Sequence, residues 1–248
     1  MAKLLLDLGN SRWKLATRRD IDIGTVSSGG YDELGKLRDA AVARAETVDG
    51  LIMASVVDHD VAVPLVHMLE QQLDTQARRV TSLDAVPGVQ SGYRKPEQLG
   101  IDRLMAMVAA RARSTQPLCV IDAGTAVTID FVDAQGQHLG GFILPGSRLF
   151  RECLLAKTAI PRDPQVDEAA ILGRDTPTAV ALGARYSVAG LVERFVGGSA
   201  SLFGNQPVQT YVGGGDADTL LALLPQPCSK LDHLVLRGLA VVAAGENG

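Results

Sequence analysis

Two short stretches of the chain carry side chains suited to phosphate chemistry. In Asp7-Leu8-Gly9-Asn10-Ser11-Arg12-Trp13-Lys14, an aspartate is followed closely by a glycine, an amide, a hydroxyl and an amine. A glycine turn presents backbone N–H groups at close range, and the flanking side chains add donors, which together make an anion cradle. The aspartate would repel phosphate unless a divalent cation lay between them. Magnesium is typically held in that way, by one or two carboxylates and the phosphate oxygens. The set therefore reads as a magnesium-nucleotide phosphate site, against the plainer reading of Asp7 as a turn residue and Lys14 as surface. The second stretch, Asp122-Ala123-Gly124-Thr125-Ala126, repeats the pattern of Asp, any residue, Gly and a small polar residue. One such turn is unremarkable, because Asp, Gly, Asn and Ser are what turns are made of. Two at matching points of the chain point to an internal repeat.

A third stretch, Gln98-Leu99-Gly100-Ile101-Asp102-Arg103, leads into LMAMVAARAR and places Asp102 in the first turn of an expected helix running through Ala112. A carboxylate at that positive helix end is worth about 0.3–1 kcal/mol without any further role. Arg103 beside it can grip a carboxylate with two parallel hydrogen bonds, or serve as a surface ion-pair residue.

The elements that must position these residues follow from hydrophobic period and turn punctuation. LLLDL (4–8) is an apolar strand, RWKLATR a second, and Ile21 to Val26 a third, with GNS and RDID as turns. DELGKLRDAAVARAE has helical spacing and is followed by strand LIMASVV (51–57), a helix over 61–73 and a strand at ARRVTS. From Cys119 the order restarts: strand CVID, turn GTA, strand VTIDFVD, hairpin turn DAQG and strand HLGGFILPG. Helical patterns cover 147–156 and 176–195, then come strand TYVGG, helix DADTLLALL and the closing segment HLVLRGLAVVAAG. The expectation is an α/β protein of two duplicated lobes, each starting βββαβ, with a cleft between them: residues 1–115 and residues 116–248.

The 248 residues are 46% hydrophobic and 21% charged, far from the composition of a disordered chain. Aromatic residues make up 4%, so an aliphatic core is expected. A net charge of −4 argues against a nucleic-acid surface, which shows a clustered basic excess. No apolar run approaches the roughly 18 residues of a membrane span, and Met1 leads into strand-like sequence rather than a basic segment and cleavage site. Cytoplasmic location is expected. Three cysteines without CxxC spacing and four scattered histidines exclude a disulfide framework and a thiolate or imidazole metal cage. Neither G-x-x-x-x-G-K-[ST] nor G-x-G-x-x-G is present, so any nucleotide is held by another device.

Doubled hairpin phosphate turns resemble the superfamily of acetate and sugar kinases, Hsp70 and actin, with its ribonuclease H-like lobes. Within it, the chain resembles the type III pantothenate kinases. Five motifs occur in order: DLGNSRWK at 7–14, KPEQLGIDR at 95–103, DAGTAVT at 122–128, GGFILPG at 140–146 and GGGDA at 213–217. The resemblance implies ATP-dependent phosphorylation of pantothenate to 4'-phosphopantothenate, the first step of coenzyme A synthesis. It implies ATP phosphates at Asp7, Gly9, Asn10, Ser11, Lys14 and Thr125, with Mg2+ near Asp7. It implies a monovalent cation, K+ or NH4+, at Asp122. Asp102 would act as general base, and Tyr93, Gly100, Ile101, Asp102, Arg103 and Thr176 would contact pantothenate. Thr176 also reads as a plain helix cap, and Arg94 and Lys95 as solvated flank. Ser11 and Gly213 stand where the family more often has threonine. A weak base suffices because phosphoryl transfer has a loose transition state and depends mostly on positioning. A homodimer is implied, since the family's substrate pocket lies at a dimer interface. Two rivals remain: a kinase of the same fold for another hydroxylated acceptor, and a non-catalytic regulator.

Overall fold

Strand β1 (Ala2–Leu8) is buried on both faces, with Leu4, Leu5, Leu6 and Leu8 almost inaccessible to solvent. That is the signature of a central strand covered by helices on either side. The computed structural model describes residues 2–159, 165–167, 169–197, 202–224 and 227–245. β1 pairs antiparallel with β2 (Trp13–Ala16), which pairs antiparallel with β3 (Ser27–Gly29). On its other edge β1 runs parallel to β4 (Val48–Ser55), and β4 parallel to β5 (Ala77–Arg79). The sheet order is β3-β2-β1-β4-β5.

The second sheet repeats this plan. It contains β6 (Leu118–Ala123), β7 (Ala126–Val132), β8 (His138–Pro145), β9 (Gln209–Gly213) and β10 (Cys228–Lys230), in the order β10-β9-β6-β7-β8. Read from β8, that order is the first sheet's with every strand number raised by five. The duplication expected from two matching turns therefore holds for the whole topology. Strand β10 is a strand that the sequence pattern did not disclose.

One expected strand is a helix. Residues 21–26, read as a third strand, instead contain the end of α1 (Arg18–Ile23), and the third strand follows it at β3. Thr17 and Asp20 form a reciprocal capping box, and Gly24 closes the helix in the left-handed conformation at φ 75°. Such a box satisfies two otherwise orphaned donors. Arg44 Nε donates to Asp20 at 2.8 Å. Burial alone would raise the Asp20 carboxyl, but the Thr17 backbone N–H and Arg44 together hold it below the usual range.

The remaining helices are α2 (Leu34–Val42), α3 (His59–Leu73), α4 (Ile101–Arg111), α5 (Ser147–Lys157), α6 (Thr176–Val192), α7 (Ala217–Leu221) and α8 (Leu234–Gly245). The closing segment is thus helical. A π-helical turn, Glu193–Gly197, continues α6. Tertiary contacts divide the chain into two units. The first gathers residues up to Thr115 with 135–139 and the segment from His233; the second gathers 116–134 and 140–232. Contact grouping thus differs from a simple division along the chain, because α8 and the tip of the β7–β8 hairpin go with the first unit. In that unit α8 lies along α4, and a Cβ on Gly238 would stand 2.1 Å from the Met105 carbonyl oxygen. Only glycine permits helices to approach so closely.

The first unit's core is built from leucines around Trp13, whose indole N–H donates to the Gly30 carbonyl at 2.8 Å. The second unit's core is also mainly aliphatic, as expected, with one cluster of phenylalanines. Phe131 sits among Phe142, Phe195 and Phe203, with ring centroids 6.0–6.3 Å away. All three cysteines are free thiols, and among the described residues no helix is long and apolar enough to cross a membrane.

Candidate functional site

The turn between β1 and β2 brings Asp7, Gly9, Asn10, Ser11 and Lys14 together. Asp7 is the penultimate residue of β1 and faces Lys14 directly across the antiparallel pair. Its carboxylate is 3.7 Å from the Lys14 ammonium and nearly inaccessible, whereas the lysine side chain is about a third exposed. Gly9 N–H donates to the Arg12 carbonyl at 3.1 Å and closes the turn, leaving Asn10 and Ser11 exposed at its tip. Tyr31, a residue not singled out from the sequence, supports the turn from beneath, its hydroxyl donating to the Gly9 carbonyl at 2.6 Å. Burial, reinforced by the charge of Asp7, pushes the Tyr31 phenol up to about 12. One buried carboxylate beside an exposed set of donors suits a divalent ion shared with phosphate, since magnesium keeps its waters and needs few protein ligands. Among the described residues no group of three or more His, Cys, Asp and Glu side chains converges, so a metal cage made by protein ligands alone is not formed there.

The N-terminus of α4 places Asp102 in its first turn, as its sequence position implies. Gly100 is the N-cap, and the Asp102 carboxylate accepts from the Arg103 backbone N–H at 2.8 Å. A Cβ on Gly100 would stand 2.5 Å from that same carboxylate oxygen, so glycine leaves the space the carboxylate fills. Ile101 is buried and anchors the turn in the core. Arg103 is buried too, at 4% exposure, which an arginine tolerates only with partners. One is Tyr93, whose hydroxyl accepts from the Arg103 guanidinium at 2.5 Å. Arg94 and Lys95 are exposed, as flanking residues should be.

Tyr93 is in turn held by a segment far along the chain. The tip of the β7–β8 hairpin locks onto residues 86–92: Gln90 N–H donates to the Gly136 carbonyl and His138 N–H to the Gln90 carbonyl, each at 2.9 Å. The two segments approach so closely that a Cβ on Gly92 would overlap the His138 carbonyl oxygen. The His138 ring, 1% exposed, stacks on Tyr93 with centroids 5.7 Å apart and planes inclined by 18°. No local pattern in the sequence links 93 to 138, and only the hairpin fold brings them together.

In the second unit the β6–β7 turn carries Asp122 and Thr125. Asp122 faces Thr128 across the antiparallel pair and Gly213 across the parallel one. Thr125 is exposed at the turn. The glycine motifs meet here. Gly146 N–H donates to the Thr125 carbonyl at 3.0 Å, and a Cβ on Gly146 would lie 2.3 Å from the Gly124 carbonyl oxygen. From the other side Gly214, at φ 91°, lies so near Ala123 that a Cβ would stand 2.4 Å from its backbone. Three of the five motifs, remote in sequence, therefore converge on one turn. Asp122 and Thr128, opposite each other in the ladder, supply carboxylate and hydroxyl oxygens, the type of donor that a hard cation takes.

Thr176 is exposed at the first position of α6, and the helix cap read at Thr176 belongs to its neighbour Asp175. The Asp175 carboxylate accepts from the Thr178 backbone N–H at 2.8 Å and from its hydroxyl at 2.9 Å. The capping reading of Thr176 is corrected accordingly.

Residues 3–197 match a family model described as type III pantothenate kinase. A type III pantothenate kinase of Nitrosococcus oceani is 34% identical over 249 residues, covering 97% of this chain and 93% of its own. One of Halorhodospira halophila is 35% identical, covering 96% of each. Among solved structures, a chain from Campylobacter jejuni described as a Baf family transcriptional activator superposes with a TM-score of 0.63 at 21% identity, over 98% of each chain. The activator of 2-hydroxyisocaproyl-CoA dehydratase from Clostridium difficile, with bound ADPNP, gives 0.52 at 11% identity, over all of this chain and 95% of its own.

Proposed function

Since the chain belongs to the type III pantothenate kinase family, we propose that its activity, ATP-dependent phosphorylation of pantothenate, rests on Asp102 as general base and on the turns at Asp7 and Asp122 as nucleotide holders. The product is 4'-phosphopantothenate, the first intermediate of coenzyme A synthesis, and the phosphoryl donor is ATP with a divalent metal ion.

In this reading Gly9, Asn10, Ser11 and Lys14 hold ATP phosphates through backbone and side-chain donors, joined by Thr125 from the second turn. Asp7 holds Mg2+, which when bound neutralises phosphate charge. Asp122 holds a monovalent cation, K+ or NH4+. Arg103 binds the pantothenate carboxylate, with Tyr93, Gly100, Ile101 and Thr176 shaping the pocket. Asp102 orients the acceptor hydroxyl and takes its proton late. That demand is light, because catalysis of phosphoryl transfer comes mainly from positioning and charge stabilisation. The enzyme works as a homodimer in the cytoplasm.

The observation that carries this reading is the pairing of two functions in one helix turn. The Asp102 carboxylate is fixed by the neighbouring backbone N–H, and the next side chain, Arg103, is a buried cation held by Tyr93. A proton acceptor and a carboxylate receptor at adjacent positions suit a substrate with a hydroxyl at one end and a carboxylate at the other. Purified protein given MgATP, potassium or ammonium, and a panel of acceptors is expected to turn over pantothenate, and Asp102→Asn to lower kcat by roughly 10²–10⁴. Undiminished turnover in the variant would remove Asp102 as base, and preference for another acceptor would remove the pantothenate assignment.

A further inference from the structure

We propose that His138 is a positioning residue for the pantothenate carboxylate, acting through Tyr93 to fix the direction of the Arg103 guanidinium. The inference rests on the reading of Arg103 as the carboxylate contact. Three groups form a relay. The His138 ring lies nearly parallel to the Tyr93 ring at 5.7 Å, and the Tyr93 hydroxyl accepts from Arg103 at 2.5 Å, with the guanidinium carbon 5.5 Å from the ring centroid. Arginine's value as a carboxylate receptor lies in its planar fork, which gives two parallel hydrogen bonds only when its plane is set. A partner that fixes the tyrosine ring fixes one edge of that fork.

The backbone around His138 makes the stack rigid. Its N–H donates to Gln90 at 2.9 Å, and its carbonyl lies where Gly92 would carry a Cβ. The residue before it, Gln137, adds a side-chain donor to the same Gln90 carbonyl at 3.3 Å. A histidine with 1% exposure, held at both backbone atoms and laid flat against a half-buried tyrosine, has little freedom of its own to lose when substrate binds. Pre-organisation of this kind appears in affinity for the group it orients. It belongs to KM for pantothenate rather than to kcat, since neither His138 nor Tyr93 touches the proton acceptor in this scheme.

The test compares His138→Leu, which fills the space without a flat ring, with His138→Phe, which keeps one. His138→Leu is expected to raise KM for pantothenate about tenfold, the upper end of what a stacked aromatic pair is worth. KM for ATP and kcat should stay within about twofold, and His138→Phe should recover most of the loss. With an acceptor in which a neutral hydroxymethyl group replaces the carboxylate, His138→Leu and the unaltered enzyme should behave alike. A ringless polar variant, His138→Gln, carries the same expectation and covers the case in which leucine is not accommodated. Unchanged pantothenate KM in both ringless variants, or an equal loss on the neutral acceptor, would overturn the proposal. Arg103→Ala separates it from the reading beneath: if that variant also leaves pantothenate KM unchanged, the Arg103 assignment fails. If Arg103→Ala raises KM while the His138 variants do not, the relay alone fails.

Discussion

The β1–β2 turn and the β6–β7 turn open with the same Asp-x-Gly pattern, and the sheets around them are duplicates, but they are held in place by different means. The first is supported by side chains: Lys14 opposite Asp7, and the Tyr31 hydroxyl beneath Gly9. The second is gripped by main chain, with Gly146 on one side and Gly214 on the other. The intervals also differ. Asp7 pairs with Lys14, seven positions on, whereas Asp122 pairs with Thr128, six positions on. A cation therefore faces the first aspartate and a hydroxyl the second. A duplicated scaffold can thus keep a turn while changing both what holds it and what it presents, and the two turns should fail under different substitutions.

The largest contrast is expected from Gly214→Ala. Both the positive φ and the 2.4 Å approach to Ala123 oppose a methyl group, and since the obstacle is backbone it cannot swing away. A loss of about 2–5 kcal/mol is expected, visible as a fall of roughly 5–15 °C in Tm. Lys14→Met comes next and acts mainly on function. If Lys14 contacts phosphate as proposed, its loss should raise KM for ATP by about 10- to 100-fold in steady-state assays, with a smaller fall in Tm than Gly214→Ala, from the lost pairing with Asp7. Tyr31→Phe should cost about 1 kcal/mol in denaturant melts, the worth of one hydrogen bond.

That tyrosine also sets a pH dependence whose sign is fixed by its raised phenol. The folded form retains the proton to about 12 while the unfolded chain releases it near 10. Its contribution to stability is therefore complete below pH 10 and is lost as pH rises from there towards 12. The stability advantage of the unaltered protein over Tyr31→Phe in melts across that window should shrink as pH rises. The smallest effect is expected at Gly9. A Cβ there meets the Arg12 carbonyl at 3.3 Å and the Asp7 carboxylate at an ordinary 3.9 Å, so Gly9→Ala should cost under about 1 kcal/mol, far less than Gly214→Ala. Equal losses at the two glycines would dissolve the distinction between a side-chain-held and a backbone-held turn.

Local signals carried much of this organisation. β1 and β6 are short apolar runs ending at a D-x-G turn, and α4 follows a glycine with an acidic first turn; each is decided within a few residues. The third strand of the first sheet was misplaced because Ile21, Ile23 and Val26 look like strand residues, while the Thr17–Asp20 box that starts α1 sits in the same few positions. A Thr-x-x-Asp signal was available and outweighs that spacing. β10 has three residues, and its pairing with β9 rather than its composition makes it a strand. Tyr31 and His138 were invisible for another reason. Their roles depend on contacts spanning 22 and 45 positions, Tyr31 to Gly9 and His138 back to Tyr93, which no local pattern records. The candidate site residues that were legible have chemically distinctive side chains at turns and a helix start, and those that escaped contact them from far along the chain.

The position of Trp13 gives the molecule an optical property. It is the chain's sole tryptophan, buried in the first core, hydrogen-bonded through its indole to Gly30 and adjacent in sequence to Lys14. Emission excited at the indole band therefore comes from one place, the strand that leaves the β1–β2 turn, where nucleotide is proposed to bind. The unmodified protein carries a built-in fluorophore at that turn, and its quenching or spectral shift on adding nucleotide would report occupancy there without a label.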